Sequence, residues 1–218
     1  MTQKLFRIAV DGPSGAGKST IAKAVAKRLG IDYIDTGAMY RAIGLKMLRL
    51  GIPMEEGPAL TEMLAETEID FAGGNVFLDG EMVNDRIRTP EVSRAASDCS
   101  ALGSVRGKLV ELQRKMRNTK SVIMDGRDIG TNVLTDAEYK FFLTASAEER
   151  AQRRHREMVE KGQRSDFNEV LEQILQRDYN DSNRALNPLR KADDAEEIDS
   201  THMSIQDVVD YICGKVCN

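Results

Sequence analysis

Residues 8–20 read IAVDGPSGAGKST, and their spacing decides the fold. Gly12, four intervening residues, then Gly17, Lys18 and Ser19 fit the pattern G-x-x-x-x-G-K-[ST]. Glycines let such a loop curl until successive backbone N–H groups point inward at phosphate oxygens, and the following helix adds the positive end of its dipole. Gly12, Pro13, Ser14, Gly15, Ala16, Gly17, Lys18, Ser19 and Thr20 are therefore candidates to cradle a triphosphate. Lys18 would reach the β and γ phosphates, and the Ser19 hydroxyl would hold Mg²⁺. The flanks agree with this reading. Phe6, Ile8 and Val10 suit a short buried strand, and Ser19–Leu29 suits a helix with Ile21, Ala22, Val25, Ala26 and Leu29 inward, stopped by Gly30. A glycine-rich turn that binds nothing is the competing reading, and it leaves the agreement of strand, loop and helix unexplained.

The chain of 218 residues is long enough for one substantial core with small inserted subdomains. Its composition, 41% hydrophobic and 30% charged, is ordinary for a globular protein. A net charge of −4 does not advertise a polyanionic partner, so no nucleic acid is expected and basic residues matter locally. No apolar run is long enough to span a bilayer, and MTQKLFRIAV enters a strand without a signal-peptide pattern, which predicts a cytoplasmic protein with no membrane association. Three cysteines, Cys99, Cys213 and Cys217, fit reduced thiols better than a disulfide frame. Nothing suggests an obligate dimer, and a monomer is expected.

Beyond the first helix, IDYID (31–35) reads as a second strand and TGAMYRAIGLKMLRLG (36–51) as a helix with Met39, Ala42, Ile43, Met47 and Leu50 on one face. Short strand candidates follow at 69–71, in NVFLDGEMVN (75–84) and in DRIR (85–88), with Asp79-Gly80 marking a type I′ hairpin turn. Helices are expected over 90–102 and 105–116. SVIMDGRDIGT (121–131) carries a third core strand ending at Asp125, and YKFFLTAS (139–146) a fourth. A charged helix over 148–161 closed by Gly162, a helix over 167–185, a short strand in AEEIDS (195–200) and a last helix over 204–216 with a capping box at Ser204–Asp207 complete the chain. Strands alternating with helices argue for one parallel sheet with helices on both faces and ligands at the carboxyl ends of its strands.

A second substrate needs its own site, and arginine is the side chain to look for around phosphoryl groups. Asp35-Thr36-Gly37 leads into Arg41 after the second strand, and Asp125-Gly126-Arg127-Asp128 ends the third. Thr36 would otherwise be a helix N-cap, and DGRD a turn with a local ion pair. Arg177, Asp181 and Arg184 fall at i, i+4 and i+7 on one helical face, either as a ligand-facing stripe or as a solvated ladder. The helix with Arg150, Arg153, Arg154 and Arg156 is either an exposed amphipathic helix or a lid that closes over the triphosphate.

VDGPSGAGKST, IDTGAMYR, IRTPEVSRAAS, MDGRDIGT and RDYNDSNRALNPL occur in the order and spacing of bacterial-type cytidylate kinases, and the sequence resembles that family of P-loop nucleoside monophosphate kinases over essentially its whole length. The resemblance implies the P-loop NTPase α/β fold: a five-stranded parallel sheet, a small antiparallel insert and a short helical lid. It implies a core at 1–36, 103–149 and 167–218, a monophosphate-binding domain at 37–102 and a lid at 150–166. The implied reaction moves the γ-phosphoryl of ATP, with Mg²⁺, to CMP or dCMP. Carried over by position, Thr36 and Arg41 would meet the acceptor phosphate region, with Thr36 standing where many relatives have serine. Ser97, Arg106 and Asp128 would read cytosine, Arg127, Arg177 and Arg184 would hold phosphates, and Asp181 would accept from the ribose hydroxyls. Lys18, Arg127, Arg184 and Arg153 would carry catalysis, and Arg154 would approach the donor nucleotide.

Two rivals differ in kind. Another small kinase on this scaffold could act on AMP, UMP, dTMP or shikimate; Asp128 and Arg106 discriminate against uracil, which lacks the amino donor and would leave a buried carboxylate unpaired. A GTPase-like switch would show an N-K-x-D guanine signature, which the sequence lacks.

Overall fold

The structure, a computed structural model, describes residues 5–72, 74–117 and 120–217, so the reading of the leader at residues 1–4 lies outside it. The chain divides into two compact units, Met1–Tyr33 with Lys120–Asn218, and Ile34–Thr119. The segment 103–149, expected to be all core, is shared between them.

The sheet is built from β1 (Arg7–Asp11), β2 (Asp32–Asp35), and three strands that come later in the chain, at Val122–Gly126, Tyr139–Thr144 and Glu196–Asp199. Its spatial order runs β2, the 122–126 strand, β1, the 139–144 strand and the 196–199 strand, so β1 is central. β1 pairs in parallel with both of its neighbours, which sets Asp11 beside Gly126 on one side and Phe142 on the other. Ile8, Ala9 and Val10 are all buried, since a parallel strand covered on both faces has no solvent side. On one side of the sheet, Ile21, Ala22 and Val25 from α1 (Lys18–Leu29) pack with Val208, Val209 and Ile212 of the last helix, Ile205–Cys217, against Ile8, Val10, Ile123 and Leu143. Leu29, expected inward, is only partly buried. α1 ends as predicted, with Gly30 left-handed at φ 66°.

In the second unit, α2 (Thr36–Leu50) buries Met39, Ala42, Ile43 and Met47, whereas Leu50 is exposed because the helix face turns outward in its last turn. α3 (Pro58–Ala65) leads to a three-stranded antiparallel sheet of β3 (Ile69–Ala72), β4 (Asn75–Leu78) and β5 (Glu81–Met82). Asp79 and Gly80 both have positive φ, 50° and 79°, as the type I′ turn requires. DRIR does not form a strand. Residues Arg86–Arg88 make one 3₁₀ turn that buries Ile87. α4 (Pro90–Cys99) starts on a Thr89 cap, and α5 (Gly103–Met116) begins two residues earlier than expected. α4 lies so close to α2 that a Cβ on Gly44 would stand 2.9 Å from the Ala96 nitrogen.

Back in the first unit, β6 (Val122–Gly126) runs into a five-residue π turn, Ile129–Val133, before β7 (Tyr139–Thr144). α6 (Ala147–Glu160) and α7 (Phe167–Asn183) pack through Ala151, Val170 and Ile174. Gly162, left-handed at φ 70°, closes α6. β8 (Glu196–Asp199) leads to α8 (Ile205–Cys217), where the Ser204 hydroxyl accepts from Asp207 N and the Asp207 carboxylate accepts from Ser204 N, the expected capping box. The cysteines are free thiols. Among the described residues no helix is long and apolar enough to cross a membrane.

Candidate active site

The cradle begins where β1 ends. Gly12 adopts φ 147°, and a Cβ there would stand 2.0 Å from the Leu143 carbonyl oxygen of β7, so only glycine lets the loop leave the sheet at this point. Gly17 is left-handed at φ 89° and hands the chain to α1, whose first residue is Lys18. The Lys18 side chain is buried and folds back so that Nζ donates to the Pro13 carbonyl at 2.6 Å, spanning the mouth of the loop. Ser19 and Thr20 are exposed in the first helical turn.

The loop is braced from beneath by Arg150, which was expected in an exposed or lid-like helix and is instead 5% exposed. Its Nε donates to Ala145 O at 2.9 Å, Nη1 to Ser14 O at 2.9 Å, and Nη2 pairs with the Asp178 carboxylate at 2.7 Å. One guanidinium thus joins the crest of the loop to α6 and α7. A planar fork with five donors suits this work better than a lysine would.

Three residues stand at or just past the end of β6. Asp125 accepts from the Tyr33 hydroxyl at 2.8 Å. Arg127 Nε bonds the Asp181 carboxylate of α7 at 2.7 Å, and its Nη1 donates to the Gly126 carbonyl at 3.4 Å. Asp128 receives Arg184 Nη2 at 3.0 Å and Asn132 Nδ2 at 3.1 Å. The predicted single helical face for Arg177, Asp181 and Arg184 is only partly right. α7 stops at Asn183, and Arg184 is extended with ψ 142°, reaching Asp128 from outside the helix while its Nε donates to Asn187 O. The Arg127–Asp181 and Arg184–Asp128 pairs thus run between elements.

Charge gathers here. Burial, and then Arg127, hold the Lys18 ammonium pKa well below its usual value, with Arg177 acting the same way and Asp125 and Asp11 opposing. Burial would push Asp181 up, but Arg127, Arg177 and Arg184 outweigh it and hold that carboxyl below the ordinary range. Lys18, Arg127 and Arg177 therefore sit within electrostatic reach of one another, an arrangement that an incoming polyanion relieves.

Two further arginines of α6 meet other partners. Arg153 bonds Glu149 at 2.9 Å and the Ser200 carbonyl at 2.7 Å beyond the end of β8, and Arg154 is exposed beside Glu157. In the second unit, the helix cap at DTG is Asp35 and not Thr36, since the Asp35 carboxylate accepts from Ala38 N at 2.8 Å. Asp35 also pairs with Arg41 at 3.1 Å, and the Arg41 Nε is buried with no hydrogen-bond partner, a donor suited to an anion. Thr36 is buried as the first helical residue. Arg106 is 3% exposed, with its guanidinium 5.8 Å from the Tyr40 ring and Nη1 donating to Ser100 O at 3.3 Å. Ser97, half-buried in α4, accepts from Ser100 Oγ through its carbonyl.

No group of three or more His, Cys, Asp or Glu side chains among the described residues is arranged to hold a metal ion. The donor set, an exposed Ser19 hydroxyl beside a phosphate cradle, fits Mg²⁺ that arrives on a nucleotide, which keeps phosphate and water ligands. Sequence reading missed Asp11, the buried carboxylate that ends β1; its signal was an acidic residue directly after the apolar run Ile8-Ala9-Val10.

A central parallel strand, a glycine loop closed by Lys18 and Ser19, and arginines at the neighbouring strand ends define a P-loop nucleotide-binding protein. The fold is similar to a shikimate kinase from Bacteroides thetaiotaomicron, with TM-score 0.51 and 14% identity, covering 99% of this chain and 100% of that one. An uncharacterised protein from Eubacterium ventriosum gives TM-score 0.54 at 14% identity, covering 98% and 99%. The cytidylate kinase family model matches residues 8–218. The cytidylate kinase of Clostridioides difficile strain 630 is 51% identical over 209 residues, 96% of this chain and 97% of that protein. That of Caldicellulosiruptor saccharolyticus is 54% identical over 213 residues, 96% and 94%. The chain belongs to the cytidylate kinase family.

Proposed function

We propose that the protein transfers the γ-phosphoryl group of ATP to CMP or dCMP, giving ADP and the cytidine diphosphate. The observation that carries this reading is the cationic cluster of Lys18, Arg127 and Arg177 at a phosphate loop in a chain of this family. Residues 12–20 bind the donor phosphates, and Arg153 and Arg154 approach the donor from α6. Arg127, Arg177 and Arg184 hold phosphate oxygens, Asp181 accepts from ribose hydroxyls, and Asp128 accepts from the cytosine amino group. Thr36, Arg41, Ser97 and Arg106 of the second unit are assigned to the acceptor nucleotide on the family resemblance. The domain division with a lid at 150–166 belongs to the same reading.

An acceptor phosphate oxygen attacks the γ phosphorus, the new P–O bond forms as the bond to the β-bridging oxygen breaks, and ADP leaves with that electron pair. Two anions must approach, so Lys18, Arg127 and Arg184 offset their repulsion and stabilise charge spread over the transferring group. Mg²⁺ bound with the nucleotide, with Ser19 as its protein ligand, would supply further charge neutralisation. No general base is required, because a phosphate monoester is largely ionised near neutral pH.

The test is a coupled ADP-release assay across CMP, dCMP, UMP, AMP, dTMP and shikimate. CMP or dCMP should give the highest kcat/KM. Turnover confined to another acceptor, or slow hydrolysis with no acceptor phosphorylated, would reject the assignment.

A further inference from the structure

Asp11 lies outside the cradle motif, yet it is 4% exposed and both carboxylate oxygens are engaged. Oδ1 accepts from Ile129 N at 2.8 Å and Oδ2 from Gly130 N at 2.7 Å. These are the opening amides of the π turn, which the turn itself has no preceding carbonyl to pair. The approach is close: a Cβ on Gly130 would stand 3.2 Å from Lys140 Cδ and 3.4 Å from Asp11 Oδ2. The same turn holds Asp128. Its carbonyl accepts from Asn132 N and Val133 N, and its side chain from Asn132 and Arg184. One carboxylate at the end of β1 therefore grips the two residues that directly follow Arg127-Asp128. Charge-assisted bonds to two successive amides fix the local backbone more firmly than neutral ones.

We propose that Asp11 is a positioning residue for the acceptor side of the reaction: by clamping Ile129 and Gly130 it sets the orientation of Asp128 and so the preference for cytidine over uridine monophosphate. The inference rests on the cytidylate-kinase reading above. A carboxylate discriminates an amino donor from a carbonyl only if its oxygens stand at hydrogen-bond distance and angle, so a loosened turn blunts selectivity before it abolishes binding of the donor.

Asp11→Asn keeps the shape but offers one carbonyl oxygen and sets an amide NH₂ against the second backbone N–H. The ratio of kcat/KM for CMP to that for UMP is expected to fall at least fivefold, while the ADP dissociation constant from calorimetry stays within twofold of wild type. Equal losses with both acceptors, leaving the ratio unchanged, would overturn the proposal in favour of a purely structural role. Should the variant not fold, the wild-type ratio at pH 5.5 and 7.5 serves instead. Burial pushes the Asp11 carboxyl up to about 6, with its two amide bonds and Lys18 opposing and Asp128 assisting. Protonation of the acceptor phosphate is common to CMP and UMP and cancels in the ratio. A lower ratio at pH 5.5 is expected; an unchanged one sinks the proposal. A wild type that ignores CMP removes the functional reading and this inference with it, whereas a wild type that uses CMP beside an unchanged ratio removes the inference alone.

Discussion

Arg127 illustrates how a single side chain acquires its role from its partners. Its guanidinium is aimed by the Asp181 carboxylate and lies close enough to Lys18 to depress that lysine's pKa. Arg127→Ala should lower kcat/KM at least tenfold while the protein stays folded, because the residue is part-buried at a strand end and Arg177 and Arg184 still face Asp181. Full activity in the variant would take Arg127 out of the site. Asp128→Ala should narrow the preference for CMP over UMP, measured as the ratio of kcat/KM values, since the carboxylate is the proposed acceptor for the amino group that uracil lacks. Both residues were legible as candidates from DGRD. Their partners were not, because the i, i+4 spacing in α7 says nothing about a strand end more than fifty residues away, the separation across which both pairs form.

At the scale of elements, the phosphate loop is held by a helix that local sequence presents as solvent-facing. Eight of the fourteen residues of α6, AEERAQRRHREMVE, are Glu or Arg, a composition that reads as a solvated face. Arg150 nevertheless turns inward to Ser14, Ala145 and Asp178. Arg150→Met should weaken ADP binding about tenfold by releasing the crest of the loop and leaving Asp178 without its cation, with isothermal calorimetry as the measurement. In the second unit, Gly44→Val should destabilise by on the order of 1–3 kcal/mol, because α2 and α4 meet with no room for a side chain at that position. Chemical denaturation checks this, and a neutral result would mean that α4 can slide away. The hairpin was readable because Asp-Gly chemistry dictates a type I′ turn locally. The 3₁₀ turn at Arg86–Arg88 was not, because DRIR alternates like a strand, and it is the tertiary structure, with Ile87 buried, that shows the turn.

For the whole molecule, the donor cradle can be tested by linkage. ADP at a hundred times its dissociation constant should add roughly 2.7 kcal/mol and raise Tm by about 5–10 °C, read by thermal shift. Acid behaviour follows from two buried carboxyls with opposite shifts. Asp181 is held below its ordinary value, so its contribution is present above that value and fades as pH falls through its lowered pKa. Asp11 is raised from 3.8 to about 6, so the native state binds the extra proton between them, and the contribution of Asp11 is lost as pH rises through that window. The stability difference between wild type and Asp11→Asn should therefore shrink by on the order of 2–3 kcal/mol from pH 4 to pH 7. A pH-independent difference would show that Asp11 titrates normally.

What the sequence determined by itself was whatever depends on near neighbours. A glycine at a fixed spacing from a lysine, an alternation of apolar strands with amphipathic helices, and a two-residue turn all write their geometry into a few consecutive residues, and from them came the parallel sheet, the phosphate loop and the antiparallel insert. What only the tertiary structure decided was the pairing of charges. Which carboxylate aims Arg127, that Arg150 lies beneath the loop, and that Asp11 clamps the turn after Asp128 depend on strands adjacent in space but distant in the chain. Burial then fixes each partnership, since a charge removed from water must find a counter-charge or hydrogen bonds within a few ångströms.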